Sequence, residues 1–205
     1  MNLRVLFLFG LLVVLSHMNT VNAQRNTFEA GAAVGFNMAQ IDGDRLFGFR
    51  RLGVAAGPVI NINTATRWQV GTGILYSQLG SARGRLDGPG DFDRIRLNFV
   101  EVPLIMRFKD WQGERKNKEY FRIAFEGGLT YGRLINWTAI SVTGEDITDD
   151  QDYEPNAFSI NFGATYYISP KWGVHAHWAK QLNNLNNGSD IFVNRYINVL
   201  LYYFL

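Results

Sequence analysis

The chain has 205 residues, a net charge of +2, 47% apolar and 14% aromatic residues, 21 glycines and no cysteine. The near-neutral charge balance leaves no electrostatic footprint for nucleic acid. The absence of cysteine excludes disulfides, thiol catalysis and a cysteine-ligated zinc. No stretch beyond the N-terminal region approaches the 18 or so consecutive apolar residues of a spanning helix, so a helical membrane protein is excluded.

Residues 1–23 read as a secretory signal peptide. Arg4 precedes an apolar run from Val5 to Leu15, and Val21-Asn22-Ala23 supplies a small-residue exit. The remainder, 24–205, is long enough for one domain with its own core.

That remainder divides into eight segments that alternate apolar with small or polar residues, the period of a strand. The first, 27–38, sets Phe28, Val34, Phe36 and Met38 against Glu29, Gly31, Gly35 and Asn37. The second spans 52–63. The third, 67–79, carries Trp68, Val70, Ile74 and Tyr76 on one face, with Leu75 and Leu79 breaking the polar pattern of the other. The fourth, 97–109, opposes Val100, Val102, Leu104, Met106 and Phe108 to Glu101 and Arg107. The fifth, 120–136, opposes Phe121, Phe125, Leu129 and Tyr131 to Arg122, Glu126 and Gly128. The sixth, 156–168, and the seventh, 172–182, repeat the pattern, the latter setting Trp172 and Trp178 against His175 and His177. The last, 193–205, ends on Tyr203-Phe204-Leu205.

The connections at 64–66 and 169–171 are tight, and 109–119 forms a longer charged turn. Those at 39–51, 80–96, 137–155 and 183–192 are long and rich in Gly, Asp, Asn and Arg. Short turns at one end and long loops at the other are the asymmetry of an outer-membrane barrel. The expected fold is therefore all-β: an eight-stranded antiparallel up-and-down transmembrane β-barrel.

The non-apolar face is mostly Gly, Ala, Ser, Thr and Asn. That suits a narrow lumen better than a solvated exterior, so the apolar face is assigned to lipid and a secreted lipocalin-like carrier becomes the alternative. Aromatic placement agrees. Trp68, Phe108, Phe121, Trp172 and Tyr203 would ring the periplasmic boundary, and Phe36, Tyr76, Tyr131, Phe158 and Trp178 the outer one. Pro58 and Pro103 each delete a ladder donor, which predicts a local irregularity in the sheet.

The segment Asn98-Phe99-Val100-Glu101-Val102-Pro103-Leu104-Ile105 resembles a characteristic strand of the PorT-like outer-membrane β-barrel family of Bacteroidota. So do the opening Gly31–Asn37 with Ile41-Asp42-Gly43, and Leu52–Gly57. The resemblance covers roughly the whole of 24–205. It implies residence in the outer membrane, contact with outer-membrane lipids and the barrel assembly machinery, and in some relatives a part in type IX protein secretion with periplasmic or secretion-system partners. The terminal Leu205 departs from the aromatic end that the assembly machinery commonly reads.

No catalytic or cofactor-binding set emerges. His175 and His177 point the same way from one strand and, with Glu101 or Glu126, could ligate a metal; a packed polar plug is the preferred reading. The acidic run 145–152 and the pair Asp42/Asp44 lack the spacing of an EF-hand loop. A lipid A-modifying hydrolase is the enzymatic alternative, but no Ser–His–acid set is brought together by strand order. Folding the fourth and fifth strands about residue 114 sets Glu101 opposite Glu126 and Gly128, and Arg107 near Arg122. The expected lumen then has two layers, Glu29 with Arg107 and Arg122 below, and Glu101 with Glu126 and one of His175 or His177 above.

Overall fold

A computed structural model describes residues 27–46, 48–64, 67–85, 87, 90–115, 118–150, 152–187 and 191–205. The signal-peptide reading of 1–23 lies outside them. The strands are β1 (Phe28–Asp42), β2 (Arg51–Asn63), β3 (Trp68–Gly73), β4 (Leu75–Ala82), β5 (Phe92–Arg115), β6 (Lys118–Ser141), β7 (Asn156–Tyr167), β8 (Trp172–Gln181) and β9 (Val193–Phe204). Every pairing is antiparallel, and β9 returns to pair with β1.

β3 and β4 are two halves of one stave. Their registers against β2 and β5 continue unbroken across Ile74. The interruption has a local cause. Pro58 has no N–H to give Ile74, whose own N donates to the Pro58 carbonyl at 3.1 Å, and Pro103 falls beside Gly73 on the other side. The irregularity that the prolines predict therefore appears on the strand between them. Eight staves close the barrel.

Directly paired residues lead from Phe28 through Ile62, Val70, Met106, Gly127, Phe162, Trp178 and Ile197 back to β1 at Met38. The circuit closes ten residues above its start, from Phe28 to Met38. Such a stagger requires steeply tilted strands, about 35–45° for an eight-stave barrel. The interior is then wide enough for side chains and little else.

The apolar face is outside. Leu104 is 60% exposed and Met106 56%, while their neighbours Ile105 and Arg107 are buried. This arrangement excludes a lipocalin-like carrier, which would turn that face inward. Both aromatic rings are recognisable. Trp68 meets Phe108 at 5.1 Å and Trp172 meets Tyr203 at 4.8 Å near the tight turns; Tyr131 meets Phe158 at 5.4 Å near the loops, where Phe36, Tyr76 and Trp178 also lie.

Three expectations need correcting. β5 and β6 have 24 residues each, far longer than 97–109 and 120–136. The segment 109–119 is a continuation of that hairpin, paired down to Arg115 opposite Lys118. The pattern hid this because charged residues replace apolar ones once the strands leave the bilayer. Longer strands also shorten three of the four outer connections, which run 43–50, 83–91 and 142–155, while the fourth runs 182–192. Finally, Phe121 leaves the periplasmic ring. Trp111 opposite the end of β6 adopts φ 54°, a left-handed conformation uncommon for a bulky residue, and Phe121 lies at the barrel mouth with Lys109 Nζ 5.8 Å above its ring.

Candidate functional site

The densest chemistry lies inside the barrel. β5 and β6 pair Arg107 directly with Glu126, and both point inward. Arg107 Nε donates to Glu126 Oε2 at 2.6 Å, Nη1 to Asn61 Oδ1 at 2.5 Å, and Nη2 to the Tyr202 hydroxyl at 3.4 Å, with the guanidinium above the Tyr202 ring. Gly71 makes room for it, since a Cβ there would meet Arg107 Nη1 at 2.2 Å. From β8, His175 Nδ1 contacts Glu126 Oε1, and its Nε2 meets His177 Nδ1 at 2.6 Å.

His175 Nδ1 also lies 3.1 Å from Thr165 Oγ1; in the tautomer that turns Nδ1–H of His175 to the carboxylate, its Nε2 accepts from Nδ1–H of His177. The chain Arg107–Glu126–His175–His177 then ends on His177 Nε2, which is buried without a hydrogen-bond partner. The carboxylate of Glu126 offsets the buried guanidinium, and the hydrogen bonds tie β2, β5, β6, β8 and β9 together across the lumen.

The register corrects the expected layers. The hairpin turns between Arg115 and Lys118, so Glu101 opposes Gly132 and Glu126 opposes Arg107. Glu126 joins both histidines with Arg107. Glu101 stands apart, nearer the loops, where its Oε1 accepts from the Tyr196 hydroxyl at 2.8 Å. Glu29 meets neither arginine; it accepts from Asn63 Nδ2 and Gln69 Nε2, each at 3.0 Å. Arg122 lies outside the lumen, on the hairpin extension, 5.7 Å over the Trp111 ring. Misplacing the turn moved every partner on β6 by several residues while leaving facing parity intact from Ile123 to Ile135. Among the described residues, no group of three or more His, Asp or Glu side chains is gathered for a metal.

Above the ionic cluster, amides bridge staves, with Asn198 Nδ2 donating to Asn37 Oδ1 at 2.7 Å and Asn161 Nδ2 to Thr130 Oγ1 at 2.8 Å. Higher still the interior becomes apolar. Ile41, Leu79, Ile95, Leu97, Phe99, Leu134 and Tyr196 pack with Leu46, Tyr153, Leu185 and Phe192 from the outer connections. At the opposite mouth, a cavity of about 470 Å³ is lined by Glu29, Gln69, Lys109, Tyr120, Phe121 and Tyr167 among others. The Tyr120 hydroxyl donates to the Ile168 carbonyl at 3.3 Å, holding the β5–β6 extension beside the β7–β8 turn.

A closed, staggered barrel with lipid-facing apolar residues, two aromatic rings and a packed lumen is the architecture of an outer-membrane protein. A family model described as the outer membrane protein beta-barrel domain matches residues 22–187. The chain belongs to this family. Its place is the outer membrane, where barrels of this kind keep tight turns on the periplasmic side and longer connections outside.

Among solved structures, the chain is similar to Ail, the attachment invasion locus protein of Yersinia pestis, at 12% identity and a TM-score of 0.49, over 86% of this chain and 98% of that one. Neisserial surface protein A is 9% identical with a TM-score of 0.49, over 88% and 98%. OprG from Pseudomonas aeruginosa is 12% identical with a TM-score of 0.37, over 86% and 91%. No curated protein matches.

Proposed function

We propose that this chain is a non-enzymatic scaffold of the outer membrane. Its lumen is sealed, and its β5–β6 hairpin docks a periplasmic partner, in the manner of a PorT-like accessory to protein secretion. The hairpin carries this reading. β3 begins opposite Phe108 and β7 pairs with β6 only to Ile123, yet β5 and β6 continue together to Arg115 and Lys118. Among the described residues, the extension thus leaves the barrel with both edges unpaired, and it bears Trp111, 59% exposed, and an exposed Glu114. Free strand edges with an exposed aromatic suit addition of a partner strand. The packed lumen supports the absence of transport, because such a barrel has no continuous aqueous path.

The test places a photoreactive residue at Glu114 on the periplasmic side and another at Asp149 on the outer side. The reading expects a discrete heterologous adduct from Glu114 that disappears when 111–121 is replaced by a short turn, with export of secreted cargo reduced in the same strain. Self-adducts alone, or unchanged export after shortening, contradict it.

A further inference from the structure

The cavity at the mouth beside the tight turns has a floor bonded together from four staves. Glu29 on β1 accepts from Asn63 Nδ2 on one carboxylate oxygen and from Gln69 Nε2 on the other, each at 3.0 Å. Asn63 Oδ1 on β2 accepts from Lys109 Nζ on β5 at 2.7 Å and from Gln69 Nε2 on β3 at 3.2 Å. The two charged groups orient both amides, turning their nitrogens to the carboxylate and the Asn63 oxygen to the ammonium.

This floor keeps bonding capacity for a ligand. An ionised carboxylate offers about four lone-pair sites and an ammonium three donors, more than these bonds use. Among the described residues, neither Glu29 nor Lys109 makes an ion pair. Gln69 is 1% exposed, and with its nitrogen turned to Glu29 its Oε1 has no partner. Tyr167 lines the same cavity from the end of β7; it is 7% exposed and its hydroxyl also has no partner. Buried polar groups are seldom left so.

Charge and shape select what fits. Among the described residues lining the cavity, two carboxylates, Glu29 and the exposed Glu119, oppose one ammonium, Lys109. A cationic head is attracted there and an anion is repelled. The spare donors of Lys109 and Tyr167 then call for an acceptor close beside that cation. A lysine side chain has only methylenes next to its ammonium. The first residue of a polypeptide carries a carbonyl one carbon away from its nitrogen. Tyr120 and Phe121, whose ring centre is 5.8 Å from Lys109 Nζ, supply an apolar wall for the first side chain. The volume of about 470 Å³ falls in the range of small-ligand pockets, so it admits a chain end and not a folded surface.

We propose that this cavity binds the free amino terminus of a periplasmic polypeptide, with the α-ammonium on Glu29 and the first carbonyl accepting from Lys109 and Tyr167. Removal of a signal peptide leaves such an end on an exported chain, and capture of a terminal amine is an established recognition mode. The site is distinct from the free strand edges of the hairpin. Its test leaves the hairpin intact, so its failure and that of the docking reading are told apart.

The test is isothermal titration calorimetry of the full chain in detergent, with phenylalanyl-alanyl-alanine amide and with the same peptide acetylated at its amino end. The wild type is expected to bind the free form at least about tenfold more tightly, and Glu29→Gln to lose that preference. Tyr167→Phe should weaken the free form by about threefold to tenfold while the preference survives. Heat-dependent gel mobility checks folding. If Glu29→Gln does not fold, the place of binding is read on the wild type: a photoreactive first residue should crosslink within 119–121 when the amine is free and not when it is acetylated. Equal affinity for the two peptides, a preference that survives Glu29→Gln, or crosslinks elsewhere overturn the proposal. A third probe, lysine amide acetylated on its α-nitrogen, carries an ammonium without a neighbouring carbonyl. Binding of that probe as tight as the free peptide also overturns the proposal and assigns the cavity to a side-chain ammonium.

Discussion

The two halves of the lumen are filled by opposite chemistry. Toward the periplasm, a guanidinium, a carboxylate and two imidazoles lock the staves through short directional contacts. Toward the outside, Leu97, Phe99, Leu134 and Tyr196 merge with Leu46, Tyr153, Leu185 and Phe192 into one apolar core capped by the connections. The difference teaches that the barrel solves its packing problem twice. Small residues such as Gly71 leave space that only a long hydrogen-bonding side chain can fill, whereas the loops bring their own apolar residues down onto the upper staves.

The halves should therefore fail differently. Glu126→Leu strands the buried Arg107 charge and should cost about 3–5 kcal/mol in urea unfolding from lipid vesicles, the largest single effect expected. Adding Arg107→Met should recover most of that loss. A double variant no better than the single would mean that the pair is not the coupled unit described.

In the apolar half, Phe99→Ala should cost about 3–4 kcal/mol with no such rescue, because a cavity replaces a ring at a residue that is 1% exposed. The lipid face supplies a third contrast. Val102→Arg should cost about 2–4 kcal/mol in vesicles, since a charge enters hydrocarbon; tolerance would mean that this face does not meet lipid.

The smallest effect concerns the cap. Asp44 follows β1, its carboxylate accepts from Leu46 N at 2.8 Å and contacts Ser81, and burial raises its pKa to about 6. A raised acid keeps its proton in the folded cap after the open form has lost it. Its contribution is thus fully present below about pH 4 and is lost as pH rises through about 6. The hydrogen-exchange protection factors of the 43–50 backbone, corrected for the intrinsic pH dependence of exchange, should fall over that window in the wild type and stay flat in Asp44→Asn.

Much of this was legible in the sequence, and the limits have physical causes. Period-two alternation assigns Val102, Leu104 and Met106 to lipid and Glu126 and His175 to the lumen without knowledge of register, because parity survives a turn placed several residues wrong. Depth does not survive it. The Arg107–Glu126 pair was invisible until the turn moved to Arg115–Lys118. The apolar upper core carried a signal in Leu97 and Phe99, which share the inward parity of Glu101, and in the odd Leu75 and Leu79. It contradicted the expectation of a uniformly polar lumen. Phe121 obeyed the pattern yet lies at the barrel mouth, opposite a stretch of β5 where Trp111 adopts φ 54°, a local backbone feature that alternation cannot encode.

The central claim is that these two fillings together seal the barrel. Single-channel recording of the full chain in planar bilayers tests it most directly. The account predicts no stepwise conductance at either polarity, with the protein's insertion confirmed by its heat-dependent gel mobility after recovery. Regular conductance steps in a properly inserted wild-type protein would contradict it, because ions would then be crossing a lumen described as packed from the ionic cluster to the cap.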